Sequence, residues 1–313
     1  MENQHHSSEI PLRALGQTGV EVTAIGFGGY HLGLVKDDNE AVRLLHEAID
    51  AGITFLDNAW EYHNGRSEEL MGKVIEDRRD KVFLMTKVCT HGRDRHVAMR
   101  QLEDSLRRLR TDYLDLWQVH EVVYDNEPEL HFAKGGVIEA LEQARREGKV
   151  RFIGFTGHKS PEIHLKMLSY DYPFDTCQLP LNCFDATFRS FERQVLPELE
   201  RRGIAAIGMK SLGGEGTMVK AGAVTAEEAL RYVMSLPIAT LVSGMESLDV
   251  LRQNLGVARG FTPMSDDEMR WLRERSAALA GDGRFEHFKT TAKFEGPVGR
   301  EQHGFPPPGE LTA

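Results

Sequence analysis

Four ionisable side chains stand at or just after the ends of short apolar segments: Asp57, Tyr62, Lys87 and His120. A carboxylate and an ammonium are costly to bury without partners, so Asp57 and Lys87 are expected to pair. That ammonium would favour the phenolate of a nearby tyrosine and lower its pKa from the ordinary value of about 10. With a histidine to hydrogen-bond a carbonyl oxygen, the group predicts a general-acid site that protonates a developing alkoxide.

Each of these side chains also has a plain structural explanation. Asp57 and Lys87 would form an ion pair at the rim of the fold, Tyr62 would be a loop aromatic, and His120 would be a hydrogen-bonded rim histidine. The occurrence of all four at strand ends favours the catalytic interpretation, because closed parallel barrels carry their catalytic groups there.

The elements that must position these residues follow a repeat. Apolar runs that resemble buried strands recur at intervals of about 30 residues, the length of a strand and helix unit. They cover residues 22–27, 53–56, 82–88, 113–119, 152–155, 176–181, 204–209 and 240–242. Segments with helical periodicity lie between and after them, at 40–51, 67–76, 95–109, 137–147, 161–169, 188–201, 226–236 and 248–257.

Eight such units predict a (β/α)8 TIM barrel. Gly52, Gly148 and Gly203 are placed to end helices, whereas Ser160 and the Thr225 capping box are placed to begin them. A doubly wound open sheet is the alternative, but the glycines of residues 26–29 lack its G-x-G-x-x-G spacing.

Two segments fall outside the repeat. Residues 12–22, with a turn at 16–19, predict an N-terminal β-hairpin that plugs one mouth of the barrel. Residues from about 259 to 313 form a C-terminal extension, and the barrel itself occupies about 20–258 of a single domain, 1–313.

The motif Asp57-Asn58-Ala59-x-x-Tyr62, then Gly65-x-Ser67-Glu68, Lys87 and His120, resembles the aldo-keto reductase signature. The resemblance extends over residues 12–258. It implies a catalytic tetrad of Asp57, Tyr62, Lys87 and His120 and hydride transfer from a nicotinamide cofactor to an aldehyde or ketone. In such a reaction Tyr62 is the acid in reduction and the base in the reverse direction.

The resemblance also implies a set of cofactor-binding residues. Thr156 and Gln178 would bind the nicotinamide amide, with His158 as a donor because Gly157 replaces the family's asparagine. Met209 would take the place of the stacking aromatic, and Lys210 would lie near the pyrophosphate. The remaining predicted cofactor contacts are Ser211, Leu212, Gly213, Gly244, Glu246, Arg252, Gln253 and Asn254.

Glu246 bears on the choice of cofactor. The family implies NADP(H), but an acidic residue repels a 2′-phosphate unless Arg252 or Ser247 compensates. A carboxylate can instead accept a hydrogen bond from a free ribose hydroxyl. The sequence therefore predicts use of NAD(H), or of both cofactors.

Aromatic and polar residues at or after strand ends are the candidate walls of a substrate pocket. They are Tyr30, Trp60, His63, Tyr124 and the segment 285–294. Aromatic walls favour an apolar or aromatic carbonyl compound. The phenylalanines of 285–294 would alternatively cover the outer helices.

Composition excludes several other classes of protein. The chain has 38 Lys and Arg against 48 Asp and Glu, a net charge of −10, which argues against nucleic acid as a partner. Neither a leader nor a transmembrane segment is evident, so a cytoplasmic protein is expected. The three cysteines lack Cys-x-x-Cys spacing, and neither a disulfide framework nor a thiolate metal site is expected.

Two further functions stay open at this stage, as does the oligomeric state. One is a cofactor-binding regulatory subunit resembling potassium-channel β subunits, although the full tetrad favours turnover. The other is a metal-dependent hydrolase that uses the barrel's histidines, which lack the required close spacing except at His5 and His6.

Overall fold

The computed structural model describes residues 9–89, 94–307 and 310, so His5 and His6 lie outside the described residues. The strands are β1 Leu12–Ala14, β2 Glu21–Thr23, β3 Ile25–Gly28, β4 Phe55–Asp57, β5 Phe83–Val88, β6 Leu114–Val119, β7 Val150–Thr156, β8 Thr176–Pro180, β9 Ala205–Met209 and β10 Thr240–Gly244.

The helices that follow the strands vary from one turn to four. They are α1 Gly29–Leu32, α2 Asp38–Asp50, α3 Arg66–Ile75, α4 Arg95–Leu109, α5 Glu127–Phe132, α6 Val137–Arg146, α7 Pro161–Leu168, α8 Phe191–Gln194, α9 Leu196–Arg202, α10 Thr217–Lys220, α11 Ala226–Met234, α12 Leu248–Arg259, α13 Asp266–Ala280, α14 His287–Thr290 and α15 Pro297–Gln302. Short 3₁₀ turns lie at Tyr62–Gly65, Arg79–Lys81 and Ala292–Phe294. None of the helices in the described part of the chain is long and apolar enough to span a membrane.

Strands β3 to β10 form a closed barrel in which β10 pairs with both β9 and β3. All of these pairs are parallel. The register sets Asp57 beside Met85 and Lys87 beside Gln118, so the polar strand ends lie at one rim. The predicted (β/α)8 barrel is therefore confirmed.

The N-terminal hairpin closes the opposite rim. β1 and β2 pair antiparallel, and Leu15 and Val22 are fully buried. They pack into the barrel interior against a cluster that includes Phe55, Phe83 and Ala205, residues from the first positions of their strands. The hairpin thus buries apolar area at the mouth that carries no catalytic residue.

Most of the predicted helix ends are confirmed. Gly52, Gly148 and Gly203 have positive φ angles of 100°, 73° and 70°, which glycine adopts at no steric cost. Thr225 and Glu228 form the expected capping box. Ser160 precedes α7 but does not cap it, because its hydroxyl bonds the Glu162 carboxylate instead of a backbone N–H.

One predicted helix is two helices. The periodicity of residues 188–201 predicts a continuous helix, but α8 ends at Gln194 and α9 begins at Leu196. Pro197 lies in the first turn of α9, where its missing N–H costs no helical hydrogen bond. Inside a continuous helix Pro197 would remove a backbone hydrogen bond, so the first helix ends and a second one begins just before it.

The C-terminal extension is anchored by a buried ammonium. Lys289, with a side-chain exposure of 0%, lies 2.6 Å from Asp185 Oδ1 and 2.9 Å from Glu286 Oε1. It also donates to the carbonyl of Phe188. These bonds attach α14 to the segment after β8, so the extension lies over the carboxyl end of the barrel.

We expect Lys289→Ala to lower the free energy of unfolding by about 3–5 kcal/mol, because two buried carboxylates lose their cation. Denaturant titration followed by fluorescence measures this change. Arg284→Ala removes only the exposed partner of Asp282 and should leave the midpoint unchanged. A Lys289→Ala midpoint equal to that of the wild type would contradict the anchoring role.

Candidate active site

A buried ion pair lies at the rim formed by the polar strand ends, which is the predicted catalytic rim. Lys87 Nζ contacts Asp57 Oδ1 and donates to the carbonyl of Asn58 at 2.8 Å. The side-chain exposures of Lys87 and Asp57 are 1% and 5%. Tyr62 OH lies 3.4 Å from Lys87 Nζ, so the ammonium is held between the carboxylate and the phenol. The predicted pairing of Asp57 with Lys87 is confirmed.

Tyr62 begins the 3₁₀ turn that precedes α3. Ser67, in the first turn of α3, donates to the carbonyl of Gly29 at 2.6 Å and fixes that turn against β3 and α1. The Tyr62 ring meets the rings of Tyr30 and His120 edge-on, at centroid distances of 5.3 and 5.5 Å. The four predicted catalytic residues are therefore brought together.

The pKa of Tyr62 differs from the expectation. Burial raises it well above its ordinary value, and the charges of Asp57, Glu61 and Glu121 raise it further. Burial also lowers the pKa of Lys87, against the opposing effect of Asp57. The expected lowering of the Tyr62 pKa by Lys87 is wrong for this arrangement, because desolvation and three carboxylates outweigh one ammonium.

His120 has a carboxylate partner that the sequence analysis did not identify. Its Nδ1 lies 2.7 Å from Glu61 Oε1. The thiol of Cys89 donates to the other oxygen of the same carboxylate at 3.2 Å. Burial lowers the pKa of His120, whereas the hydrogen bond to Glu61 raises it. The only available signal was the position of Glu61, directly before Tyr62.

The predicted nicotinamide contacts occupy neighbouring strand ends. Thr156 and Gln178 are register partners on β7 and β8. Gln178 Nε2 donates to Asp57 Oδ2 at 3.0 Å. Gln178 Oε1 and His158 Nε2 are buried and have no hydrogen-bond partner among the described residues. A carboxamide presents both a donor and an acceptor, so these two atoms fit a nicotinamide amide.

The loop after β9 holds the next predicted contacts. Met209 ends the strand, and Ser211 is buried while Leu212 is half-buried. Lys210 adopts a φ of 58°, and its Nζ lies 5.5 Å from the ring centroids of Phe288 and Phe294. A side chain at Gly213 would lie 2.7 Å from the carbonyl oxygen of Phe285. The extension therefore packs directly on this loop.

Burial lowers the pKa of Lys210 to about 8. Glu121 opposes this effect, and Lys87 adds to it. Lys210 is therefore a cation that loses its charge as the pH rises through about 8, in the loop where an anionic cofactor is expected.

The residues predicted to bind the adenosine end of the cofactor differ in their exposure. Glu246, Arg252 and Gln253 are exposed, and Arg252 lies 3.4 Å from Asp249. Asn254 is buried, and its amide donates to Ser243 Oγ at 3.1 Å, so it ties α12 to β10. The ring of His31 packs against Gly244, where a Cβ would lie 2.1 Å from Nδ1.

The predicted substrate residues do not form one wall. Tyr30 is half exposed beside Tyr62, and its carbonyl lies 2.8 Å from His63 Nε2. The carbonyl of Trp60 accepts from Arg108 at 2.9 Å, and the same guanidinium lies over the indole. Tyr124 donates to Glu295 Oε2 in the extension at 2.8 Å. Of the four, Tyr30 is the one whose ring contacts that of Tyr62.

Two phenylalanines of 285–294, Phe288 and Phe294, lie beside residues of the strand-end rim, whereas Phe285 packs against Phe184 and the main core. Phe288 is fully buried and meets the rings of His158 and Phe294 edge-on. The neighbouring Gly296 N–H donates to Glu121 Oε2 at 2.8 Å. The extension therefore contributes to the surroundings of the site.

The closed barrel of eight parallel strands, with its polar strand ends at one rim, belongs to the TIM-barrel class. The aldo/keto reductase family model matches residues 24–224, and the chain belongs to this family. The uncharacterized oxidoreductase YqkF of Bacillus subtilis is 25% identical over 304 residues, which cover 84% of this chain and 96% of that protein. L-galactose dehydrogenase of Arabidopsis thaliana is 31% identical over 219 residues, 66% of each chain.

The fold likeness extends to solved structures. An aldo-keto reductase from Bacillus halodurans in its holo form superposes with a TM-score of 0.72 at 23% identity, covering 85% of this chain and 96% of that one. This likeness shows the shared fold. Membership of this family rules against the metal-dependent hydrolase that the histidines had left open.

We expect binding of a nicotinamide nucleotide to weaken as the pH rises through about 8, because Lys210 is charged below that pH and neutral above it. Fluorescence titration between pH 7 and 9.5 measures the dissociation constant. Lys210→Met should weaken binding at pH 7 and remove the pH dependence. Lys220→Met, an exposed lysine after the same loop, is the control. A pH dependence that persists in Lys210→Met would contradict this role.

Proposed function

We propose that this protein transfers hydride from a reduced nicotinamide nucleotide to an aldehyde or ketone, with Tyr62 as the proton donor. One observation carries the proposal: Lys87 Nζ is buried between Asp57 and the Tyr62 hydroxyl, and the His120 ring meets that of Tyr62 edge-on at a centroid distance of 5.5 Å. One proton donor, one cation and one imidazole in this cluster are the groups that protonating a carbonyl oxygen requires, which supports the proposal.

The protein's own residues supply the proton and the charge stabilisation. The cofactor, when bound, supplies the hydride, and Gln178, His158 and Thr156 would hold its amide. Tyr62 donates its hydroxyl proton to the oxygen that becomes the alcohol. Its raised pKa keeps the phenol protonated, so the acid form is fully populated at neutral pH. Lys87 stabilises the negative charge that remains on Tyr62 after the transfer.

The reverse reaction uses the same residue as a base. Alcohol oxidation needs the Tyr62 phenolate, which burial and the carboxylates around it disfavour. Carbonyl reduction forms the same phenolate when Tyr62 donates its proton, so the Lys87 ammonium has to stabilise it in both directions.

The surroundings of Tyr62 favour a polar carbonyl substrate. Glu61 and Glu121 are carboxylates whose charges act on Tyr62, whereas Tyr30 is the one predicted aromatic wall in ring contact with Tyr62. The relative from Arabidopsis thaliana is named for a sugar. We infer a hydroxylated aldehyde or ketone in place of the apolar carbonyl compound that the sequence suggested.

The cofactor proposal is NAD(H) or dual use, against the family's NADP(H). It rests on Glu246, which is exposed near His31, and on Arg252, which lies beside Asp249. We expect NADH and NADPH to bind with similar dissociation constants in a fluorescence titration. Tight binding of NADPH without detectable binding of NADH would contradict it.

Tyr62→Phe tests the mechanism. The variant should lower the rate of cofactor-coupled reduction by about 10²- to 10⁴-fold, the usual contribution of a general acid, while the cofactor dissociation constant stays unchanged. Consumption of NADH or NADPH with a panel of sugars and aromatic aldehydes measures the rate. Tyr113→Phe, on the face remote from Lys87, is the matched control.

Two outcomes would count against the proposal. Equal turnover in Tyr62→Phe and wild type would remove Tyr62 as the acid. Tight cofactor binding without turnover of any carbonyl compound by the wild type would instead support the regulatory subunit.

A further inference from the structure

The ring of His120 lies among charged and titratable groups from several elements. Glu61 and Tyr62 approach from the segment after β4, Lys87 and Cys89 from β5 and its end, and Asp57 from β4. His158, after β7, faces it from the other side of the rim. Glu121 follows His120 in the chain and contributes a further buried carboxylate.

Among these groups, Glu61 makes the close contact with the imidazole. Its Oε1 lies 2.7 Å from Nδ1, and both side chains have an exposure of 11%. The thiol of Cys89 is the proton donor to Oε2, because burial keeps its pKa well above the ordinary range. The carboxylate of Glu61 is therefore bound at both oxygens.

This contact decides which nitrogen carries a proton. At 2.7 Å one of the two atoms must carry a proton, and an ionised carboxylate only accepts, so Nδ1 carries it. In the neutral ring Nε2 is then a bare acceptor, and in the charged ring Nε2 is a second donor. A substrate carbonyl oxygen is an acceptor, and only the charged ring can donate a hydrogen bond to it through Nε2.

We propose that Glu61 is a positioning residue for carbonyl reduction: it fixes the Nδ1–H tautomer of His120 and stabilises the imidazolium whose Nε2–H points to the substrate oxygen. Only the catalytic part of this inference rests on the proposed function. The tautomer and the charge of His120 are properties of the resting protein.

The same geometry makes the reaction pH-dependent. Burial lowers the pKa of His120 and disfavours the imidazolium, whereas the hydrogen bond to Glu61 and then the negative charge of Glu61 oppose that effect. As the pH rises through the pKa of His120, Nε2 loses its proton and the hydrogen bond to a carbonyl oxygen is lost. Reduction should therefore slow as the pH rises through that value. The neutral ring, whose Nε2 is an acceptor, would instead accept a hydrogen bond from an alcohol hydroxyl.

NMR of protein carrying ¹⁵N-labelled histidine tests the tautomer without any substrate. The His120 signal is assigned by its loss in His120→Asn. At high pH the wild type should show a protonated Nδ1 and a bare Nε2. In Glu61→Gln the titration midpoint should move to lower pH by roughly 1 or more, because an opposite charge is removed.

Two variants sharpen the test. Glu121→Gln removes a carboxylate of similar burial that bonds Gly296 N–H, and it should move the midpoint much less than Glu61→Gln. Cys89→Ala keeps Glu61 but removes a donor to it, so the carboxylate becomes more basic and the His120 midpoint should move upward. A wild-type Nε2–H tautomer, or equal shifts in Glu61→Gln and Glu121→Gln, would overturn the proposal.

Kinetics then connect the tautomer to turnover. The pH profile of kcat for reduction of 4-nitrobenzaldehyde should lose its high-pH activity earlier in Glu61→Gln than in wild type. In the His120→Asn background, Glu61→Gln should have no further effect. An additive effect there would show that Glu61 does not act through His120. If the wild type reduces no carbonyl compound, the proposed function fails, but the NMR result on Glu61 stands.

Discussion

The buried pairing of Lys87 with Asp57 is the interaction on which the other groups at the catalytic rim depend. Two charges removed from water are tolerated only when their remaining hydrogen-bonding capacity is satisfied. Here the ammonium also bonds the Asn58 carbonyl, and the second oxygen of Asp57 accepts from Gln178. The pair thereby fixes a residue of the β4 loop and a residue of β8, and it leaves the Tyr62 hydroxyl as the third neighbour of the ammonium.

Further charges of both signs act on the groups around this pair. Glu61 and Glu121 raise the pKa of Tyr62, and Glu121 and Lys87 act on Lys210 in the loop after β9. The C-terminal extension packs on two of these residues, since Gly296 donates to Glu121 and the rings of Phe288 and Phe294 lie near the Lys210 ammonium. Low solvent access strengthens each of these interactions, and it explains why the pKa values of Tyr62 and His120 are displaced from their ordinary ranges.

The sequence predicted what depends on local pattern and chain order. The eight strands and most helices follow from apolar periodicity, and strand-end placement identified Asp57, Tyr62, Lys87 and His120 before any coordinates. Three features depend on how the folded chain packs and carry no local signal. Asn254 bonds Ser243, Lys289 pairs with Asp185, and the pKa of Tyr62 rises because the phenol is buried and, after that, because carboxylates lie near it. Glu61 was overlooked because its role depends on which way His120 is turned.

A double-mutant cycle on single-turnover reduction of 4-nitrobenzaldehyde tests most directly whether Asp57 acts through Lys87. Asp57→Asn, Lys87→Met and the double variant are compared with wild type under saturating cofactor. The ion-pair account predicts a large loss from Asp57→Asn in the wild-type background and almost no further loss in the Lys87→Met background. Losses that simply add would contradict the account, because Asp57 and Lys87 would then contribute to proton transfer independently.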